Sequence, residues 1–501
     1  LDVIRLAPSG RSVFFALPAL LAVLAAVSVL AGCGTKKPGG TKTSDDGYTA
    51  EYVPEISRGD YNGASVTVMC RDPEMAWGEM AVISDEQSTA VLGDAAYRRN
   101  KRLENDYNVK LNFVTYNDET ASGGSFYRTI SDNLSAYDDI CDICIPGIMD
   151  AATLASAGAF VDLSSGDVPH LDLEKPWWNK TLNDSMRILN RQYFAISDAL
   201  LNDKLDTYVM FFNKTLFADS KLDAPYTLVD SGEWTIDVFA KIVKSYGSDL
   251  NGNGTPDYED AYGLVGMIYD VFYVGSGITG AYLDEKTGLP AITPFSDKTD
   301  NIYGKVRDIV SGSRYNTYSI GQEPLFNNDI NDTFRAAFDE KSLFMCGPLS
   351  FYFNIITEMT SDVGLLPCPK YDENQKEYRH RAGYTGSTAI TVLTSVRDRE
   401  RAGVMLEAFC AGAKNYVSPA FYDTLLTNRY AQDEESKRMI SLVIDTEIFD
   451  LDQIFKWGTI LERLQLSLSS GAGSVATLYA RYAAAAEAKL RETIDSYSQL
   501  K

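Results

Sequence analysis

The sequence predicts an α/β protein of two lobes, each built on a doubly wound sheet flanked by helices. Two observations carry this prediction. Strand-like and helix-like patterns alternate between residues 64 and 157, which favours a parallel sheet. About 440 residues follow residue 60, too many for one ordinary domain and enough for two lobes of ~100 to 200 residues each. With 45% hydrophobic residues, the chain has the material for two cores.

The alternation begins with a β-branched run that is typical of a strand. The predicted elements are a strand at 64–70, a helix at 94–107, a strand at 109–114, a helix at 126–137, a strand at 140–145 and a helix at 150–157. The basic residues of the first helix, Arg98, Arg99, Lys101 and Arg102, are expected on its solvent side. Ligands of doubly wound sheets bind at the carboxyl ends of strands, so the loops 71–80 and 146–150 are predicted to contact ligand.

The rest of the chain continues the mixture of strands and helices. We predict helices at 236–245, 301–311 and 399–410, strands at 363–367 and 388–393, and a strand–turn–strand unit at 281–293. Near the end of the chain, apolar residues recur every four positions from Leu478 to Ile494. This period predicts a long amphipathic helix that packs against the core.

The N-terminal segment has the pattern of a signal peptide. Arg5 and Arg11 precede an apolar run at 13–30, which ends in the sequence Leu-Ala-Gly and Cys33. This ending resembles the bacterial lipobox, in which the cysteine receives diacylglycerol, so the mature chain is expected to start at Cys33 on a flexible tether that ends at residue 60. The alternative is an uncut transmembrane anchor, for which 18 residues would be barely long enough.

Net charge and cysteine content narrow the possible partners. The formal charge is −23, and it becomes −24 when the signal segment, with its net +1, is removed. Nucleic acid and anionic membrane surfaces are therefore unsuitable partners. Six cysteines follow Cys33, and we expect them to be free and mostly buried. Cys141 and Cys144 lie three apart in a predicted strand, which would point them to opposite faces and exclude a joint metal or redox role.

A loop in the second half of the chain has the spacing of an EF-hand calcium site. Oxygen-bearing side chains occupy positions 1, 3, 5, 9 and 12 of a twelve-residue stretch, and position 7 would supply a backbone carbonyl. The six predicted calcium ligands are Asp249, Asn251, Asn253, Thr255, Asp257 and Asp260. Position 12 is Asp rather than Glu, and a proline stands at position 8, so an Asn/Gly-rich turn without metal is the alternative. A bound ion would stiffen this loop.

The usual catalytic motifs are missing from the sequence. The chain has only two histidines, His170 and His380, and it contains neither a Gly-x-Ser-x-Gly nor a His-Glu-x-x-His sequence. The glycines at 275, 277 and 280 match a dinucleotide fingerprint in spacing, but the residues after them predict strands where that fingerprint requires a helix. A glycosidase with two carboxylates stays open as an alternative, because 69 acidic residues always supply some pair.

Several short motifs, in the same order, resemble those of the bacterial family 1 extracellular solute-binding proteins, the group that includes maltose-binding protein. The matching segments are Arg-Asn-x-x-Leu-Glu-x-x-Tyr-Asn-Val at 99–109, Pro-Trp-Trp-Asn at 176–179, Tyr-Phe-Ala-Ile-Ser-Asp at 193–198, Met-Phe-Phe-Asn-Lys at 210–214, Glu-Trp-Thr-Ile at 233–236, Phe-Met-Cys-Gly-Pro at 344–348 and Gly-Leu-Leu-Pro-Cys-Pro at 364–369. The resemblance covers essentially the whole mature chain.

This resemblance implies a clamshell of the type II periplasmic-binding-protein kind, whose lobes are joined by several crossing segments and close on ligand by hinge bending. Lobe 1 would comprise residues 61–198 and 368–425, and lobe 2 would comprise 199–367 and 426–501. It further implies a non-enzymatic receptor. The lipobox-like segment predicts a lipid anchor on the outer face of the cell membrane, and because nothing in the sequence suggests more than a monomer, we expect a monomer. The receptor would capture a small solute, a mono- or oligosaccharide, and deliver it to the permease of an ABC importer.

Sugar sites combine aromatic plates with side chains that donate and accept hydrogen bonds. We choose the predicted ligand-contacting residues by their position in the chain, and in the segment 269–273 also because family members carry a stacking aromatic residue there. They are Trp77, Asp198, Tyr269, Phe272, Tyr273, Phe351 and Tyr384. Core packing is the alternative for each aromatic. Two other functions remain open from the sequence: a secreted carbohydrate-active enzyme, and a ligand-dependent sensor or adhesin with the same fold.

Overall fold

The computed structural model describes residues 51–57, 59–73, 77–84, 90–117, 122–222, 225–266, 271–284, 286–319, 326–427, 434–470 and 474–500. The chain divides into two units, Leu1–Glu51 and Tyr52–Lys501. Among the described residues, no helix is both long enough and apolar enough to cross a membrane. Cys33 and the predicted signal segment lie outside the described residues.

The described part of the chain contains twelve strands. They are β1 (Ala64–Arg71), β2 (Val109–Tyr116), β3 (Ile143–Cys144), β4 (Tyr208–Asn213), β5 (Leu264–Gly266), β6 (Ala281–Asp284), β7 (Leu289–Ile292), β8 (Thr317–Ser319), β9 (Phe344–Pro348), β10 (Val363–Leu366), β11 (His380–Arg381) and β12 (Glu447–Ile448).

Helices surround these strands in the same residues. The α-helices are α1 (Val91–Tyr107), α2 (Ser125–Ala136), α3 (Ile148–Ser156), α4 (Lys180–Ser185), α5 (Asn202–Leu205), α6 (Lys214–Asp219), α7 (Tyr226–Ser231), α8 (Ile236–Lys244), α9 (Val271–Gly275), α10 (Asp297–Ser311), α11 (Ile330–Phe338), α12 (Phe351–Asn354), α13 (Arg399–Thr427), α14 (Glu434–Asp445), α15 (Leu451–Phe455), α16 (Ile460–Ser470) and α17 (Val475–Gln499). Short 3-10 helices occupy Trp77–Ala81, Phe326–Asn328 and Ile356–Glu358.

The first sheet has the strand order β2-β1-β3 and is parallel throughout, as the alternation of strands and helices predicts. β1 lies in the middle of the sheet and is buried on both faces, by Val66, Val68 and Cys70 on one and by Met69 on the other. The strand predicted at 388–393 is instead an extended segment that touches its neighbours at single bridges, such as that between Cys144 and Thr391. The short length of β3 leaves too few partners for a continuous ladder.

The second sheet has the order β10-β4-β9-β5-β8. β4 pairs antiparallel with both of its neighbours, whereas β5 pairs parallel with β8 and β9. The sheet is therefore mixed: β4, the strand by which the chain enters it, runs opposite to the other four. The predicted strand–turn–strand unit is confirmed as the antiparallel hairpin of β6 and β7.

One basic residue of α1 does not lie on the solvent side that the sequence predicts. Arg99 has no exposed surface, because α1 packs directly against α13. Its guanidinium lies 3.7 Å from the ring centroid of Phe409 and donates a hydrogen bond to the carbonyl of Val82 at 2.6 Å. The aromatic face and the carbonyl replace part of the hydration that the cation loses. α13 is also longer than the predicted helix at 399–410.

The six cysteines after Cys33 are buried and free. The expectation that Cys141 and Cys144 point to opposite faces is wrong, because the strand contains only Ile143–Cys144 and Cys141 precedes it. The two thiols therefore approach each other. Burial, followed by the hydrogen bond that the thiol makes to Cys141, raises the pKa of Cys144 well above its usual value, so this thiol stays protonated and unreactive at neutral pH.

Candidate functional site

A cluster of buried charges lies where the chain crosses from the first sheet to the second. Lys204 and Asp203, both in α5, form an ion pair at 2.9 Å, and both side chains are buried. Thr207, which follows α5, donates a hydrogen bond to the Glu447 carboxylate at 3.1 Å. Burial, and then the charge of Asp203, raise the pKa of Glu447. These contacts fix the segment that crosses between the sheets, which comprises α5 and Thr207, to β12, which is far away in sequence.

The 3-10 helix Trp77–Ala81 is fixed to the same crossing segment. The carboxylate of Glu79 accepts a hydrogen bond from the Asn202 side chain at 2.7 Å and lies 3.7 Å from Arg71. Burial raises the pKa of Glu79 to about 7. A Cβ atom on Gly78 would lie 1.9 Å from the Asn202 side chain, so only glycine permits this approach.

Arg381 connects this cluster to an open surface. Its guanidinium lies 4.6 Å from the ring centroid of Tyr208 and 4.5 Å from that of Tyr384, and its own surface is almost completely buried. Asp206 lies nearby, and burial raises the pKa of its carboxyl to about 6, although the charges of Arg71 and Arg381 oppose the shift. The half-buried ring of Tyr384 is thereby held in one position.

Next to Tyr384 the chain forms a cavity of about 250 Å³. Its lining comes from α3, the segment after β11, the α15–α16 region and α17. The lining residues are Met149, Tyr384, Gln453, Lys456, Trp457, Gly458, Thr459, Glu462, Arg463 and Lys489. Pockets for drug-sized ligands measure roughly 300 to 1,000 Å³, so this cavity suits one sugar ring or the end of a chain. A larger depression, of about 510 Å³, is lined by polar residues of α14 alone and has no aromatic ring.

The floor of the cavity combines an aromatic ring with a buried amide. Trp457 is 2% exposed, stacks on Phe455 with ring centroids 4.9 Å apart, and donates its indole N–H to Thr493 at 2.8 Å. Gln453 is 1% exposed, and neither its amide nitrogen nor its amide oxygen has a hydrogen-bond partner. A buried amide without partners costs about 1 to 3 kcal/mol. A ligand hydroxyl that reached this amide would recover that cost.

The loop between α15 and α16 is held by one buried carboxylate. Asp452 accepts hydrogen bonds from the backbone N–H groups of Gly458, Thr459 and Ile460, at 2.6 to 3.0 Å. Two residues of the loop, Lys456 and Thr459, have positive φ values of 54° and 49°. Positive φ is unfavourable for a β-branched residue such as threonine, so Asp452 stabilises a loop conformation that the chain would otherwise avoid.

The structure places the predicted ligand residues in different environments. Tyr384 lines the cavity. Trp77 begins the 3-10 helix at the crossing segment, and Asp198 forms an ion pair with Lys414 at 3.0 Å. Tyr269 lies outside the described residues. Three further aromatic residues are buried in the core, Phe272, Tyr273 and Phe351.

Each of the buried rings has a packing reason for its position. Phe272 packs against Phe239 with centroids 5.6 Å apart, and Phe351 packs against Phe334 at 5.0 Å. Tyr273 lies in the same short helix, α9, all of whose residues are buried. In this conformation these rings contribute to the second sheet's core and do not line the cavity.

Sequence reasoning missed most of the cavity, above all the residues between α15 and α17. One signal was present in the glycine at 458, directly after Trp457, because glycine is a common residue where the backbone approaches a ligand closely. Gln453 gave no such signal, because its burial depends on contacts between α15 and α3.

The calcium-like loop folds on its own hydrogen bonds. The Asp249 carboxylate accepts from the N–H groups of Gly252 and Gly254, and the fully buried Asp260 accepts from those of Leu250 and Asp257. Within the described residues, no three His, Cys, Asp or Glu side chains gather as a metal site requires. Calcium binding at this loop stays a prediction.

No protein-family model matches the sequence, and no curated protein matches it either. Many solved structures do share its fold. One is the galacto-N-biose/lacto-N-biose I-binding protein of an ABC transporter from Bifidobacterium longum, in complex with lacto-N-biose. It is 12% identical, with a TM-score of 0.56 over 87% of this chain and 98% of that one.

Two structures from Listeria monocytogenes are also similar. An ABC substrate-binding protein in complex with cycloalternan is 13% identical, with a TM-score of 0.52 over 88% of this chain and 100% of the other. A maltose-binding periplasmic protein in complex with maltose is 14% identical, with a TM-score of 0.51 over 87% and 98%. Identities this low establish the fold alone. The predicted α/β class and its type II clamshell architecture are confirmed at that level.

Proposed function

We propose that this chain, which has the fold of ABC transporter substrate-binding proteins, is a non-enzymatic receptor that binds a small saccharide in the cavity beside Tyr384. The observation that carries the proposal is the composition of that cavity. It offers the half-buried ring of Tyr384, which suits the C–H face of a sugar, and the unpartnered amide of Gln453, which suits a hydroxyl group, on a base supported by Trp457. The saccharide complexes of the three similar structures support the same ligand class.

The cavity lining also favours binding over hydrolysis. Most glycosidases need two carboxyl groups on either side of the scissile bond. Among the described lining residues, Glu462 is the single carboxylate. The receptor would therefore release its saccharide unchanged to the permease of an importer.

The first experiment is a thermal-shift screen of the mature chain from Gly34 onward against mono- and oligosaccharides, amino acids and calcium. A saccharide at a hundredfold excess over its Kd should stabilise the protein by ~2.7 kcal/mol. Tyr384→Ala should weaken the binding about tenfold, because it removes a stacking ring, whereas Tyr384→Phe should retain most of it. Chromatography of the ligand after incubation would reveal any product, and turnover or an exclusive response to amino acids would refute the receptor.

The calcium arm of that screen tests the loop at 249–260. We propose that the ion stabilises this loop, since its oxygens match EF-hand spacing at each ligand position. Calcium should then raise the melting temperature relative to EGTA, whereas magnesium should not.

We also propose that the receptor is anchored on the outer face of the cell membrane through lipid on Cys33. The support is the signal-like segment and the lipobox-like sequence before that cysteine. Cys33→Ala should abolish palmitate labelling and shift the protein from the membrane fraction to the soluble fraction, while Lys36→Ala should change neither. A membrane-bound chain that keeps its apolar N-terminus in mass spectrometry would point to the uncut anchor instead.

A further inference from the structure

The rim of the cavity is cationic, although the chain as a whole is strongly acidic. Lys456, Arg463 and Lys489 contribute three positive charges to the lining, and Glu462 contributes one negative charge. The formal charge of the whole chain is −23. A local excess of two positive charges on such a surface creates a potential that attracts anions to this cavity.

The three cations of the rim are bonded to neutral groups. Lys456 donates to the hydroxyl of Ser122, Lys489 to the carbonyl of Lys456 at 3.2 Å, and Arg463 to the carbonyl of Gly458 at 2.7 Å. Within the described part of the chain, none of them lies within 4 Å of a carboxylate, whereas many other lysines and arginines do. Each retains N–H donors and an unneutralised charge.

Internal carboxylates and helix dipoles do not account for this excess. The carboxylate of Asp452 interacts with the charge of Arg463, but its oxygens accept hydrogen bonds from the backbone N–H groups at the start of α16. The same bonds occupy that helix terminus, so it is not a free anion site. Arg463 is further held in place because its guanidinium lies 4.3 Å from the ring of Tyr482. The charged groups of the rim are therefore positioned around the buried floor formed by Gln453 and Trp457.

We infer that the saccharide bound here is acidic, with an anionic group that faces Lys456, Arg463 and Lys489. The inference rests on the proposed saccharide-binding function and specifies its ligand class. A uronate carboxylate or a sulfate ester would accept the free N–H donors of the rim, while the ring hydroxyls would pair with the amide of Gln453. Charge-assisted hydrogen bonds of this kind are about twice as strong as neutral ones.

The test is calorimetric titration of the mature chain with matched ligands. The probes are digalacturonate, its neutral counterpart α-1,4-galactobiose, galactose 6-sulfate, and neutral maltose and lactose. We expect at least one acidic probe to bind ten times or more tightly than the neutral sugars. Preference for digalacturonate would identify the anion as a carboxylate, and preference for galactose 6-sulfate would identify it as a sulfate. The affinity should fall as sodium chloride is raised from 50 to 500 mM, since salt screens exposed charges.

Two double variants assign the effect to the rim. Lys456→Gln with Lys489→Gln should weaken binding of the acidic probe about 3- to 30-fold, as the loss of two exposed charge contacts predicts. The control, Lys110→Gln with Lys241→Gln, makes the same change in net charge at two exposed lysines on β2 and α8. It should leave the affinity unchanged.

The possible results separate this inference from the function on which it rests. Equal or tighter binding of a neutral sugar, with no salt dependence, would overturn the acidic ligand and leave the saccharide receptor in place. An equal loss of affinity in both double variants would overturn the role of the rim. If no saccharide binds, charged or neutral, both the inference and the proposed function are wrong.

Discussion

Trp457→Ala is expected to lower the free energy of unfolding by about 3 to 5 kcal/mol and to abolish detectable saccharide binding. The stability loss follows from truncating a tryptophan that is 2% exposed and stacks on Phe455. The binding loss follows because Trp457 and its neighbours, Lys456 and Gly458, line the cavity, and the loop that carries them loses its support when the ring is removed. Chemical denaturation and calorimetric titration below the melting temperature measure the two effects separately.

Trp234→Ala is the matched control for this variant. Trp234 is fully buried beside the second sheet, packs against Phe239 and Phe344, and donates its indole N–H to the carbonyl of Pro367 at 2.8 Å. The truncation should cost a similar 3 to 5 kcal/mol. Because this ring does not line the cavity, the folded variant should bind saccharide normally. Equal affinity in both variants would show that the cavity beside Tyr384 is not the ligand site.

The fold could be predicted from the sequence because the apolar residues of its strands and helices recur at regular spacings. The strand at 64–70 and the helix from Leu478 to Ile494 correspond to β1 and to the middle of α17. Where prediction failed, tertiary contacts had overridden a local pattern. Arg99 is buried because α13 covers α1, and Cys141 meets Cys144 because β3 is only two residues long.

The site was less accessible than the fold. Its lining joins residues that are far apart in sequence, such as Met149, Tyr384, Gln453 and Lys489. Periodicity indicates which face of an element is buried, but it does not show which elements meet. The sequence therefore indicates that some aromatic residues contact ligand, but it does not show which ones. Tyr384 lines the cavity, while Phe272 and Phe351 pack in the core.

Glu79→Gln is expected to make the protein more stable at pH 8 and to flatten its stability profile between pH 4.5 and 7. Burial raises the pKa of Glu79 from 4.5 to about 7. Within that window the folded state holds a proton that the unfolded state has lost, so the free energy of unfolding falls as pH rises. At 1.36 kcal/mol per pKa unit, this one carboxyl accounts for about 3 kcal/mol. Glutamine keeps an oxygen that can accept the hydrogen bond from Asn202.

The difference between variant and parent isolates this carboxyl from other titrating groups. Burial lowers the pKa of His380 to about 3, so its contribution has the opposite sign: stability is present above pH 6.5 and is lost as pH falls toward 3. That contribution is common to both proteins and cancels in the difference. Glu373→Gln, at an exposed position, makes the same change in charge and should leave the profile unaltered. Parallel denaturation profiles for the parent and Glu79→Gln from pH 4.5 to 8 would mean that Glu79 is ionised in the folded protein, with Arg71 compensating its burial.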